Sequence, residues 1–248
     1  LKKPVPIEEP LAQQELARTN LEKLRQTAPQ WHPVAAYLDR KGFPLYRNTQ
    51  LYYLPTGEAY LDDMLTVLDT AQRFIFVEYF IMAEGQIWDR LSEILCRKSR
   101  QGVEVKLIFD DFGSMMRMPN EKVEELQDAG VEVKVFNPVH HYVNRLYFNY
   151  RDHRKITCVD GDVAYTGGAN IADEYANLIE RFGYWKDCGV RLEGEGAWGL
   201  TREFLQMWER MGGGVQHEYD YYRPLHHPAA QGFCQTVVDG PDDNPNNA

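Results

Sequence analysis

His153-Arg154-Lys155-Ile156-Thr157-Cys158-Val159-Asp160, followed seven residues later by Gly167-Gly168-Ala169-Asn170, decides how this chain is read. In an extended segment alternate side chains share a face, so His153 and Lys155 lie side by side. That face offers a nitrogen nucleophile next to a cation. The glycine pair lets backbone come close to a ligand, and Asn170 adds an amide donor. Together these groups suit holding a phosphate ester and attacking its phosphorus. A lone histidine is read as a surface or core residue without chemistry. Six fixed positions at fixed offsets are a different matter, expected by chance roughly once in many thousands of chains.

Working outward, Ile156 to Val159 and Val163 to Tyr165 read as a hairpin-like pair around Asp160-Gly161-Asp162. Asn170 is placed to open a helix. Upstream, Phe74 to Met82 is rich in β-branched and aromatic residues and reads as a central strand. Val103 to Phe109 alternates and runs into Asp110-Asp111, and Val131 to Phe136 is another strand. Between them, Ile87, Leu91, Ile94 and Leu95 mark an amphipathic helix closed by Gly102 with basic residues in its last turn. Asn120 is placed to cap a helix that ends at Gly130. Leu61, Met64, Leu65 and Leu68 lie at helical spacing after the Pro55-Thr56-Gly57 turn, which follows a short strand at Leu51-Tyr52-Tyr53-Leu54. Cys188 to Leu192 is a strand and Trp198 to Met211 a helix. Leu11 to Ala28 is a surface helix. Strands alternating with helices predict an α/β layered domain, a mixed β-sheet flanked by helices.

The 248 residues suit one large domain, with two small ones possible. The net charge of −10 argues against non-specific nucleic-acid binding, so no nucleic acid is expected as partner. Against that acidic body, Arg145, Arg151, Arg154 and Lys155 with His140, His141 and His153 form a basic window suited to an anionic headgroup. Cys96, Cys158, Cys188 and Cys234 are widely spaced and form no C-x-x-C pair, so they read as free thiols in a reducing compartment rather than zinc ligands. No apolar run reaches the roughly 20 residues that span a bilayer. Tyr184-Trp185 reads as core rather than lipid contact. Thr157 and Cys158 read as packing.

H-x-K-x-x-x-x-D followed by G-G-x-N resembles the active-site motif of the phospholipase D superfamily. Phe148-Asn149-Tyr150-Arg151-Asp152, Asn170 to Tyr175, Val77-Glu78-Tyr79-Phe80-Ile81, Phe109 to Ser114 and Tyr184 to Val190 extend the likeness, in order, to the first half of a bacterial cardiolipin synthase. The likeness runs from about Asn48 to about Gly240. It implies a phospholipase D-like layered domain over residues 48–238, an N-terminal extension with a helix over 1–47 and a linker-like tail over 239–248. Two departures stand out. Such synthases carry two motifs, and none of the other histidines here has a lysine two residues on. They also begin with two membrane-spanning helices. The chain is therefore expected to be one motif-bearing piece of a two-motif enzyme of the bacterial cytoplasmic membrane, soluble by itself.

The resemblance implies transfer of a phosphatidyl group between two phosphatidylglycerol molecules, with glycerol released and a phosphohistidine intermediate. It implies His153 as nucleophile, Lys155 on the non-bridging oxygens, and Gly167, Gly168 and Asn170 at the phosphate. Gly168 stands where many relatives carry serine. Asp160 is the motif acid, and both a turn-forming and a participating role stay open for it. Asp187 stands where single-motif relatives place the acid that orients the histidine, though the intervening spacing is longer here. No metal or other cofactor is expected, since histidine and lysine take the place of cations in this family. Tyr79 and Asp110 are expected to line or brace the pocket. The expected partners are phosphatidylglycerol or another anionic phospholipid, a membrane surface, and a second motif-bearing half. The rival reading is a homodimeric phosphodiesterase, a nuclease or lipid hydrolase, building one site across a two-fold axis.

Overall fold

The computed structural model describes residues 7–139 and 150–238. Its helices are α1 (Leu11–Thr27), α2 (His32–Arg40), α3 (Gly57–Leu68), α4 (Gln86–Arg100), α5 (Asp111–Ser114), α6 (Asn120–Asp128) and α7 (Ala197–Arg210). Its strands are β1 (Thr49–Leu54), β2 (Phe74–Tyr79), β3 (Glu104–Asp110), β4 (Glu132–Phe136), β5 (Lys155–Val159), β6 (Val163–Gly167) and β7 (Gly189–Gly194). The strands form one sheet in the order β1-β7-β6-β5-β2-β3-β4. β2 pairs parallel with β3, and β3 parallel with β4, whereas β2 meets β5 antiparallel. The sheet is mixed and flanked by helices, as the alternation in sequence predicts.

The described residues divide into two compact units. The larger comprises 52–139, 150–160 and 165–191. Every residue of β2 and β3 is buried there. β2 accordingly reads as a run of apolar and aromatic residues, whereas β3 alternates in sequence because its polar positions Glu104 and Lys106 are buried as an ion pair. α3 contributes Leu61, Met64, Leu65 and Leu68 and α4 contributes Ile87, Trp88, Leu91 and Leu95 to this core, all 2% exposed or less. Local chemistry sets the helix ends. Thr56 accepts a hydrogen bond from the Ala59 amide at 3.1 Å and starts α3. Gly102, at φ +91°, ends α4.

The smaller unit comprises 7–51, 161–164 and 192–238. Leu24, Ala35 and Leu45 pack together in it, and α7 buries Phe204, Leu205 and Trp208. α2 and the preceding 3₁₀ turn at Pro29–Trp31 have no counterpart in the sequence reading, because α2 buries only Ala35 and so shows little apolar periodicity.

Three local expectations are corrected. Asn120 is the first residue of α6 and makes no capping bond; Pro119 precedes it, suited to the start of a helix by its fixed φ. Asp110 does not run into an open loop: its carboxylate accepts from the Phe112 and Gly113 amides and caps α5. Asn170 opens no helix. Ile171 bridges Met82, and a 3₁₀ turn begins only at Asp173. The Asp173 carboxylate is used elsewhere, accepting from the Gln86 and Ile87 amides at the start of α4. No helix among the described residues is long and apolar enough to cross a membrane.

Candidate active site

The antiparallel register sets Tyr79, the last residue of β2, opposite Lys155, the first of β5. The candidate site lies at that end of the two strands. The ring of Phe80, one residue beyond β2, is the shared support. The His153 ring lies 4.8 Å from it, centroid to centroid, and the Lys155 Nζ 5.5 Å from its centroid. Both side chains therefore contact one aromatic ring. His153 is exposed, and Lys155 is buried. The Lys155 Nζ donates to the His153 backbone carbonyl at 2.7 Å.

Partial burial against Phe80 holds the His153 pKa below the ordinary histidine range, and the neighbouring Lys155 charge pushes the same way. Burial also pushes Lys155 down to about 8, opposed by the Asp152 and Asp187 charges. Near neutral pH the imidazole is thus neutral, as a nucleophile must be, while the ammonium keeps most of its charge.

The segment carrying His153 is pinned on both sides. Asn137 donates to the Tyr150 carbonyl at 2.7 Å. The Asp152 amide donates to Asp110 at 3.0 Å, and Arg151 reaches Asp110 at 3.3 Å and the Asn137 carbonyl at 3.0 Å. Asp110 thus braces both α5 and this segment; burial pushes its carboxyl up, and the amides it accepts from only partly offset that. Beneath the segment, Arg154 lies 2.5 Å from Glu78 and 3.2 Å from Asp152. One guanidinium faces two buried carboxyls, and complete burial with Asp152 alongside pushes the Glu78 carboxyl well up despite Arg154. These pairs correct the expected basic window. Arg151 and Arg154 hold the backbone through carboxylates, leaving Lys155 as the cation beside the imidazole among the described residues of that window. His140, His141 and Arg145 lie outside the described residues.

Asn170 is buried, and its Oδ1 accepts from the Ile81 amide at 2.9 Å, so it is tied to the chain next to Phe80. Gly167 and Gly168 lie where β6 ends against the start of β7. A Cβ at Gly167 would meet the Cys188 carbonyl oxygen at 2.6 Å. One at Gly168 would fall 2.1 Å from the Asp187 Oδ1. Glycine at 168 therefore makes room for Asp187, which gives a physical reason for the departure from serine. Asp187 also accepts from the Cys188 amide at 2.8 Å and from the Trp185 Nε1 at 3.3 Å. Its charge acts on Lys155. Asp160 is placed apart from these groups, at the far end of β5. Its carboxylate accepts from the Gln72, Arg73 and Phe74 amides at 2.8, 2.7 and 3.0 Å.

Tyr79 is buried and bonded to Tyr60 at 2.8 Å and Thr157 at 3.1 Å, so it braces the site. Thr157 and Cys158 are both fully buried. Tyr184 corrects the core reading: it is 66% exposed, whereas Trp185 packs its ring against Tyr175 and Phe182. The supporting roles of Phe80 and Asp152 were missed in sequence. Phe80 lies within the strand-like run Phe74 to Met82, but nothing in the sequence pairs that run with His153. No group of metal-ligating side chains occurs among the described residues.

The fold and this cluster define a phospholipase D-like α/β domain. Residues 64–208, more than half of the chain, match the family described as "Cardiolipin synthase, PLD-like domain", and the chain belongs to that family. It is 41% identical over 225 residues to an uncharacterized protein of Streptococcus mutans serotype c, a match covering 90% of this chain and 49% of that protein. It is 36% identical over 217 residues to a cardiolipin synthase of Geobacillus kaustophilus, covering 87% of this chain and 43% of that protein. The chain thus spans about half the length of the curated relatives it matches. In fold it is similar to the phosphatidylserine synthase of Haemophilus influenzae Rd KW20, with a TM-score of 0.51 at 14% identity over 76% of this chain and 45% of that one.

Proposed function

We propose that this chain supplies one half of the active site of a phosphatidyltransferase that makes cardiolipin from two phosphatidylglycerol molecules. The observation that carries the reading is the convergence of the His153 imidazole and the Lys155 ammonium on Phe80, in a chain of the cardiolipin synthase family. In the first half-reaction a ring nitrogen of neutral His153 attacks phosphorus. The bond from phosphorus to the glycerol oxygen breaks, and that oxygen takes a proton as glycerol leaves. In the second, a hydroxyl of another phosphatidylglycerol attacks the phosphohistidine, gives up its proton, and the nitrogen–phosphorus bond breaks to free His153. Lys155 neutralises the non-bridging oxygens in both steps. Asn170 and the backbone at Gly167 and Gly168 shape the phosphate's seat.

Asp187 supports the charge on Lys155 and positions the Gly167-Gly168 corner. Asp160 is a positioning residue, fastening the far end of β5. The acid that protonates the leaving glycerol is assigned to the histidine of a second motif beyond these 248 residues. The substrate places the whole protein at a phospholipid surface.

The test offers labelled phosphatidylglycerol vesicles and, separately, single-stranded DNA to the longest natural chain containing these residues. Lipid turnover through an acid-labile phosphoenzyme that His153→Ala abolishes is the expected result. Cleaved DNA beside untouched lipid would overturn the reading in favour of a phosphodiesterase. Undiminished turnover by His153→Ala would remove His153 as nucleophile.

A further inference from the structure

Two exposed apolar segments adjoin residues of the candidate site. The first comprises α5 and the turn after it and carries Phe112, Met115 and Met116; Met116 is 98% exposed. It adjoins the histidine support directly, because a Cβ on Gly113 would strike the Phe80 carbonyl at 2.2 Å. The second carries Leu178, Phe182 and Tyr184; Phe182 is 73% exposed. It connects to the site through Trp185, on which Phe182 packs and which donates to Asp187. The two segments are also fastened to each other. Arg117, just after the first, and Arg181, within the second, both bond the Glu174 Oε1, at 2.6 and 3.0 Å. Large apolar side chains in two coupled loops at one site form an exposed patch of the kind that marks an interaction surface.

We propose that these two loops dip into the surface of a phospholipid bilayer and bring His153 to the depth of the headgroup phosphate. The inference rests on the proposed lipid substrate and names how that substrate is reached. A diacyl phosphodiester keeps its chains in the membrane, so its phosphorus lies at the headgroup level. An enzyme that attacks it must either extract the lipid or lower its own site into that layer. The apolar segments favour the second: their phenylalanine, tyrosine and methionine side chains are exposed on loops joined to Phe80 and Asp187, and aromatic rings settle at the bilayer interface. Arg117 and Arg181 are occupied by Glu174 and the chain carries a net charge of −10, so attraction to anionic lipid is not the driving force. Insertion is apolar and therefore insensitive to salt.

Sedimentation of the 248-residue chain with vesicles, of phosphatidylglycerol and separately of phosphatidylcholine, tests this. Wild type is expected to bind both, equally at low and high salt. The double variant Met116→Ser, Phe182→Ser is expected to bind at least tenfold more weakly, with its circular dichroism unchanged. Leu225→Ser, an exposed apolar residue of the other unit, is the control and is expected to bind as wild type. Equal binding by the double variant, or no binding by wild type, overturns the proposal. So does a patch that pairs copies of the chain instead, seen as a dimer that the double variant breaks while vesicle binding is unchanged. The chemistry is read separately. His153→Ala is expected to bind vesicles as wild type does, and short-chain phosphatidylglycerol free in solution still reports phosphohistidine formation if the docking surface fails.

Discussion

The two ends of β5 differ in what their charged side chains are left to do. At one end Lys155 and His153 share an aromatic support, burial pushes the ammonium down to about 8, and the imidazole stays exposed. At the other end the Asp160 carboxylate is consumed by three backbone amides of the chain entering β2. All three residues belong to one sequence motif, yet one end keeps unspent capacity for a substrate and the other spends it on the fold. Asp187 sits on the unspent side although it lies outside the motif. A spaced motif therefore mixes chemical and architectural positions, and hydrogen-bond saturation separates them.

The largest expected effect is at the open end. Lys155→Ala should lower kcat/KM for phosphatidylglycerol by about 10² to 10³, the scale of losing one preorganised charge at a transition state. Circular dichroism should be unchanged, and Lys155→Arg should not restore the rate, because a planar fork does not replace a point charge. A loss under threefold would erase the distinction between the two ends.

At the closed end the expectation inverts. Asp160→Ala should destabilise the protein by about 3 kcal/mol in denaturant titration, since three amides lose a charged acceptor. The site also requires φ +55°, which alanine resists. Asp160→Asn tolerates that conformation and keeps one acceptor oxygen, so about 1 kcal/mol is expected. His153 phosphorylation per folded molecule should stay at the wild-type level in both. A phosphorylation defect without instability would make Asp160 a participant.

Titration sharpens the comparison further. The proposed chemistry needs His153 neutral and Lys155 charged. Activity should rise with pH as His153 loses its proton below the ordinary histidine range, and fall as Lys155 loses its own near pH 8. The profile of kcat/KM against pH, taken on soluble short-chain lipid, reads both limbs. Activity still climbing at pH 9 would deny Lys155 its charged role.

The smallest effect belongs to Gly168. Gly168→Ser would drive the Asp187 carboxylate aside, breaking its bond to the Cys188 amide. Asp187 raises the Lys155 pKa, so moving it away should shift the basic limb to lower pH and reduce activity a few-fold at pH 8. An unmoved limb would show that Asp187 acts through packing alone.

Much of the fold was legible in sequence because each element carries its own signal. β2 reads as an apolar run and β3 as an alternating one, and α4 declares its inward face and its glycine stop. α2 gave no such signal, with Ala35 its lone buried side chain. Within the site, the sharing of one face by His153 and Lys155 follows from strand geometry alone. The supports do not: Phe80 meets His153 only because β2 and β5 pair antiparallel, with Tyr79 opposite Lys155.

By itself the sequence determined the strand–helix alternation and which imidazole and ammonium stand together, since both are set by spacing along a few residues. Tertiary structure decided which charges remain available. Arg151, Arg154 and Asp160 look as chemical as Lys155 in the sequence, but partners far along the chain (Asp110, Glu78 and the amides of 72–74) hold them in place. A charged group's availability depends on what else reaches it, and that is fixed only when distant segments pack.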